Sequence, residues 1–160
     1  MKKYNVKPVL LLEVVLFLVV FNMILAIHGS LYTYIYFIDI PTLCLILAIV
    51  VIGMFVLGAQ KDFHKAFSIG KKDYSLLELK NIKLAVSVCQ RLVVCACIVA
   101  IVMGVILYLQ ELSDPSTVGP NFAVIFLSVF YGAILEYLTL PLYLASERAI
   151  NEAMDLGEEE

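Results

Sequence analysis

Residues 109–143 read LQELSDPSTVGPNFAVIFLSVFYGAILEYLTLPLY, a turn-rich opening followed by a long apolar run that holds a single carboxylate, Glu136. A helix rises about 1.5 Å per residue and the bilayer hydrocarbon is about 30 Å thick, so some 20 mostly apolar residues make a span. Residues 120–145 meet that requirement. Working back along the chain, so do 84–109, 41–59 and 9–27. Composition agrees: 62% of the 160 residues are hydrophobic, 16% are charged and the mean hydropathy is +0.98, far from a water-soluble domain.

An open strand in lipid leaves its backbone groups unsatisfied, and the period-two alternation of a barrel is absent, so the spans are predicted to be helices. The first begins after lysines, as a signal peptide does, but its apolar core is long and no small-x-small cleavage pattern follows, so it is read as retained. Lys2, Lys3 and Lys7 precede span one; Lys61, Lys65, Lys71, Lys72, Lys80 and Lys83 lie between spans two and three; Arg148 follows span four. Segments 28–40 and 110–119 hold no Lys or Arg. Cationic loops stay inside, so both termini and the middle segment are expected in the cytoplasm. The expected fold is an all-α membrane protein with four transmembrane helices, forming one domain over residues 1–150, with an acidic tail at 151–160. Helices three and four are expected to be long and to extend into the cytoplasm.

Local signals refine the boundaries. Asp39 before Pro41 suits a helix start, with an acid at the positive end of the dipole and proline in the first turn. Ser75 followed by Glu78 forms a capping-box pattern, so a helix is expected from near Leu76 straight into span three. Span four should continue into NEAMDLGEEE until Gly157 stops it. Tyr32, Tyr34, Tyr36 and Phe37 read as an interfacial aromatic belt, with an aromatic ligand cage as the alternative.

Catalytic sets are missing from the sequence. Cys44, Cys89, Cys95 and Cys97 all fall in spans and read as small apolar side chains. Cys95-x-Cys97 does not have zinc or iron-sulfur spacing. His28 and His64 are expected on opposite sides of the membrane. No phosphate-binding glycine loop, nucleophile elbow or His-Glu-x-x-His motif occurs, and a net charge of −3 with lysines explained by topology gives no nucleic-acid footprint. The chain is not expected to be an enzyme or to use a cofactor.

Ionisable groups at membrane depth are costly and point to function or pairing. Counting from the outer helix ends puts Arg91, Glu136 and Glu13 about 27, 26 and 22 Å deep, near the inner interface. An ion pair between Arg91 and Glu136 is expected, with Glu13 a second acceptor in the same or a neighbouring subunit; snorkelling to the headgroups and a place on an ion exit path are the alternatives.

Several residues go beyond generic membrane composition. Phe37-Ile38-Asp39-Ile40-Pro41-Thr42-Leu43 resembles the F-I-D-x-P-S-L opening of the second helix in many members of the MotA/TolQ/ExbB proton-channel family. Asp114-Pro115, Gly119-Pro120, Ala123, Tyr131-Gly132 and Pro141 are similar to that family's D-P-x-x-x-G-P-x-x-A, Y-G and terminal proline. The resemblance covers roughly residues 37–148, and span one matches by position alone.

The resemblance implies a bacterial inner-membrane protein, five copies of which surround the single helices of two MotB/ExbD/TolR-like partners. The partner's aspartate takes the proton or sodium ion. The family's G-T-x-x-G and Thr-Thr patterns, whose hydroxyls line the ion path, map onto residues 100–104 and onto Ser128-Val129. The implied pathway residues are then Ser128, Ile101, Gly104, Ala123 and Tyr131, with Ile101 and Ser128 at one level. Of three expected hydroxyls only Ser128 is present, which implies a drier route. The middle segment is also far shorter than the domain with which flagellar members push on a rotor. Two functions follow as expectations: a stator-like subunit of an ion-driven motor complex, or a non-conducting scaffold derived from the same family that still binds a partner.

Overall fold

The computed structural model describes residues 5–27, 31–110, 112 and 115–158, with the side chains of 31–33, 115, 117 and 156–158 excepted. Five α-helices follow in order: α1 (Val6–Ile27), α2 (Ile40–Val56), α3 (Gln60–Ala66), α4 (Leu76–Gln110) and α5 (Pro115–Glu158), with a 3-10 helix, Leu31–Phe37, between α1 and α2. No strand occurs among the described residues. Four segments are long and apolar enough to cross a membrane: Val6–Ile27, Tyr34–Val56, Leu76–Gln110 and Val118–Asp155. The chain is a multi-pass membrane protein with four membrane-spanning segments among the described residues.

The expected helix starts are present with their chemistry. Asp39 caps α2, its carboxylate accepting from the Thr42 backbone N–H at 3.3 Å, with proline in the first turn. Before α4 the capping box closes in both directions: Glu78 N–H donates to Ser75 Oγ at 3.3 Å, and Ser75 N–H donates to Glu78 Oε2 at 3.1 Å. Gly58, with φ of +67°, lets the chain leave α2 while the Ala59 N–H returns to the Met54 carbonyl at 3.0 Å. At the other end Gly157 does not stop α5, which runs through Glu158. One glycine in a terminal turn costs a helix about 1 kcal/mol relative to alanine, too little to end it.

Helix α4 extends about 52 Å and α5 about 66 Å at the ordinary rise, well beyond a hydrocarbon layer of about 30 Å. They form an antiparallel hairpin with the most extensive contact in the molecule; α2 packs on α4, and α1 packs on α5. The buried face of α4 runs through Leu79, Ile82, Val86, Cys89, Val93, Ala96, Ala100 and Gly104, a helical period whose small members allow close approach. Ile46, Val50 and Met54 of α2 enter this core at i, i+4 and i+8.

The other end of the bundle holds a second core: Val6, Ala66, Ile69, Ile82, Val86, Leu142 and Ala145. It joins the start of α1, the segment from α3 to residue 69, the first turns of α4 and the last third of α5. Both described ends of the chain and the middle segment therefore share one end of the bundle. The middle segment is more than a charged connection, because α3 and the turn after it cover α4 with Ala66 and Ile69. Lys65 lies 2.9 Å from Asp62, and the hydrogen bond it donates there holds its ammonium above the ordinary lysine range. Lys83 and Glu147, 2.6 Å apart, tie α4 to α5 at the same end.

Candidate functional site

The α4–α5 hairpin sets the geometry of every pathway residue. A Cβ built on Gly132 would collide with Cys97 Sγ, and one built on Gly104 would lie 3.0 Å from Ile125 Cγ1. Together with the Tyr108–Phe122 ring contact at 5.8 Å and the Lys83–Glu147 pair, these contacts share one antiparallel register. That register places Ile101 opposite Ser128, at the same level, and Val93 opposite Glu136.

Ser128 is fully buried, and its hydroxyl donates to the Val124 carbonyl of its own helix at 3.0 Å. Thr139 and Ser146, two buried hydroxyls that the sequence reading did not single out, do the same. Thr139 donates to the carbonyls of Leu135 and Glu136 at 3.0 and 3.1 Å, and Ser146 to that of Tyr143 at 2.7 Å. Back-bonding of this kind is how a hydroxyl in a dry helix interface satisfies itself without water. Pro141 withdraws the N–H that would reach the Tyr137 carbonyl, so Thr139 sits in a turn already short of one backbone bond.

Tyr131 is 7% exposed and faces the start of α2. Its hydroxyl accepts from the Asp39 N–H at 2.6 Å and donates to the Phe37 carbonyl at 2.9 Å. It clamps the entry turn of α2 onto α5. The signal for this was present in the sequence as Phe37-Ile38-Asp39 and Tyr131-Gly132, but nothing in their spacing joins them. Phe37 adds a ring contact with Phe130 at 5.7 Å, and Phe21 of α1 stacks on Phe130 at 6.0 Å. Asn22 accepts from the Tyr34 hydroxyl at 2.6 Å, which fastens α1 to the 3-10 helix.

The five expected pathway residues do not form one wall in the protomer. Ser128, Gly104 and Tyr131 are buried, Ile101 is half-buried, and Ala123 is exposed on a different side of α5. The aromatic loop is likewise divided: Phe37 is packed inward and Tyr36 is 77% exposed, while the side chain of Tyr32 and all of His28 lie outside the described residues.

The expected charge pair is not formed. Among the described residues no ion pair joins Arg91 to Glu136 or Glu13, Arg91 is exposed, and Glu136 Oε1 and Glu13 Oε2 are buried without hydrogen-bond partners. The reason is rotational. Glu136 lies within electrostatic range of Cys89 and Cys97 on the buried face of α4. Arg91 follows Cys89 by two residues, about 200° round the helix, and points the opposite way. The hairpin register brings Arg91 within two residues of the level of Glu136, but on another side of α4.

All four cysteines are free; Cys89 and Cys97 are buried, and Cys44 and Cys95 are exposed. Among the described residues no group of three or more His, Cys, Asp or Glu side chains is placed to hold a metal ion. Comparison with protein-family models, with curated proteins and with solved structures returns no match.

Proposed function

We propose that this chain is a membrane subunit of an ion-driven, energy-transducing complex, in which copies assemble around single-helix partners that carry an ion-binding aspartate. The observation that supports it is the uncovered outer surface of the α4–α5 hairpin. Ile98, Val102 and Leu109 on α4, and Phe122, Phe126 and Val129 on α5, stay exposed along the spanning length, while α1 and α2 cover other faces. A hairpin packed tightly within and apolar without suits helix-to-helix assembly in lipid. The sequence pattern shared with the MotA/TolQ/ExbB family supplies the direction: copies meet through these faces, and the partner's acid, not a group of this chain, takes the proton or sodium ion. The orientation, with both termini and α3 in the cytoplasm, follows the distribution of lysines.

A second reading is favoured by one observation. Ser128 is buried, bonded to its own backbone and opposite Ile101, so the hydroxyls of the family's ion path are absent or occupied here. On that reading the chain is a scaffold that assembles and binds a partner without conducting. The deciding experiment is purification of the tagged chain from its native membranes into nanodiscs, followed by mass measurement and proton- and sodium-flux assays in liposomes. An oligomer holding a single-span protein with an intramembrane aspartate, and flux lost when that aspartate becomes Asn, supports the first reading. The same oligomer without flux selects the scaffold, and a lone monomer refutes both.

A further inference from the structure

A cleft of about 310 Å³ opens between α4 and α5 at the basic end of the bundle, lined by Lys80, Lys83, Leu84, Ser87, Tyr143 and Ile150. Lys80, Leu84 and Ser87 recur at i, i+4 and i+7, and Lys83 is a neighbour on the same stripe. Arg91, one turn beyond Ser87, continues it. This stripe crosses the boundary of the span. Lys80 lies about 6 Å outside residue 84, and Ser87 and Arg91 about 5 and 10 Å inside it, so the cleft sits at headgroup level and the arginine at the top of the acyl chains.

The cations along this stripe, Lys80 and Lys83 in the cleft and Arg91 one turn past its inner edge, are unequally satisfied. Lys83 is held by Glu147 at 2.6 Å and lies over the Tyr143 ring at 5.3 Å. Lys80 and Arg91 are exposed and have no ion-pair partner among the described residues. An arginine on a lipid-facing surface needs an anion and reaches toward the interface to find one. The upward path from Arg91 passes Ser87, which offers a hydroxyl, and ends at Lys80. Leu84, 63% exposed between them, offers a hydrocarbon surface. Glu147 repels an anion, but it is paired with Lys83, which leaves Lys80 in the cleft and Arg91 beyond it without an ion pair among the described residues.

We propose that this cleft binds the phosphate of an anionic phospholipid, with Lys80 and Arg91 as the charge partners, Ser87 as a hydrogen-bond donor and an acyl chain lying along Leu84. The volume suits a headgroup, and the chemistry is that of basic pockets between membrane helices on the cytoplasmic side. The site does not depend on ion coupling or on the number of copies.

The test is native mass spectrometry of the full-length protein from nanodiscs containing equal phosphatidylglycerol and phosphatidylcholine. Wild type should retain phosphatidylglycerol in preference, and Lys80→Gln and Arg91→Gln should each lower that retention about fivefold. Arg91→Lys should keep most of it, and Lys71→Gln, in the middle segment, should leave it unchanged. Equal retention of both lipids, or unchanged retention in the Lys80→Gln/Arg91→Gln double variant, overturns the proposal. Displacement of the lipid by millimolar inorganic phosphate would assign the site to free phosphate and overturn the lipid assignment. Should Arg91→Gln fail to fold, Lys80→Gln alone carries the comparison.

Discussion

Replacing Gly132 with alanine should have opposite effects on stability in two backgrounds. In the wild-type chain the added methyl meets Cys97 Sγ across the α4–α5 interface, and an overpacked buried contact costs about 1–3 kcal/mol. Alanine gains about 1 kcal/mol over glycine in a helix, so Gly132→Ala should destabilise by up to about 2 kcal/mol. With Cys97→Ala already in place the sulfur is gone, and the nearest remaining atom, the Cβ of residue 97, stands at 3.5 Å, an ordinary contact. The helix preference then acts alone, and the same substitution should stabilise by about 1 kcal/mol or less. The coupling between the two positions is therefore about 1–3 kcal/mol. With the exposed Cys44 and Cys95 replaced by alanine throughout, thermal unfolding in detergent, followed by the reaction of a fluorogenic maleimide with newly exposed Cys89, reads all four proteins, because that thiol is buried in the fold. Equal effects of Gly132→Ala in both backgrounds would refute the register on which the placement of Ile101, Ser128 and Glu136 rests.

Three further outcomes are expected. Tyr131→Phe leaves the Asp39 N–H and the Phe37 carbonyl without their partner and should destabilise by about 1–3 kcal/mol, with amide exchange accelerating at residues 39–43 in hydrogen–deuterium mass spectrometry. A double-mutant cycle on Arg91→Gln and Glu136→Gln should give a coupling below about 0.5 kcal/mol in thermal unfolding, since the two side chains face opposite ways; a coupling above 1 kcal/mol would restore the ion pair. In a background with all four cysteines replaced by alanine, a membrane-impermeant maleimide applied to intact cells should label Tyr36→Cys and not Lys71→Cys. The reverse pattern would invert the topology.

Much of the fold is readable in order along the chain because its causes are local. The four spans, the Asp39 cap, the Ser75–Glu78 box and the common side of the two termini follow from hydropathy, turn chemistry and lysine placement, and each needs only neighbouring residues to be satisfied. Depth is also local: the level of Ile101 with Ser128 came from counting residues and agrees with the hairpin register. The site was less legible. Arg91 and Glu136 have the right depth for a pair, but pairing needs a rotational match between two helices, and that match is set by Gly132 fitting against Cys97 and Gly104 against Ile125.

The sequence by itself determined that this chain is a bundle of lipid-spanning helices with its basic residues at one end, because a bilayer imposes length, backbone satisfaction and charge placement on each segment separately. Only the tertiary structure decided where the polar groups point. It turned the Ser128 hydroxyl onto its own helix, fixed the Tyr131 hydroxyl on the start of α2, left Arg91 exposed on the face of α4 away from Glu136, and buried one oxygen each of Glu13 and Glu136 without a partner. Those orientations depend on how small residues let α4 and α5 approach and rotate against each other, and no single segment contains that information.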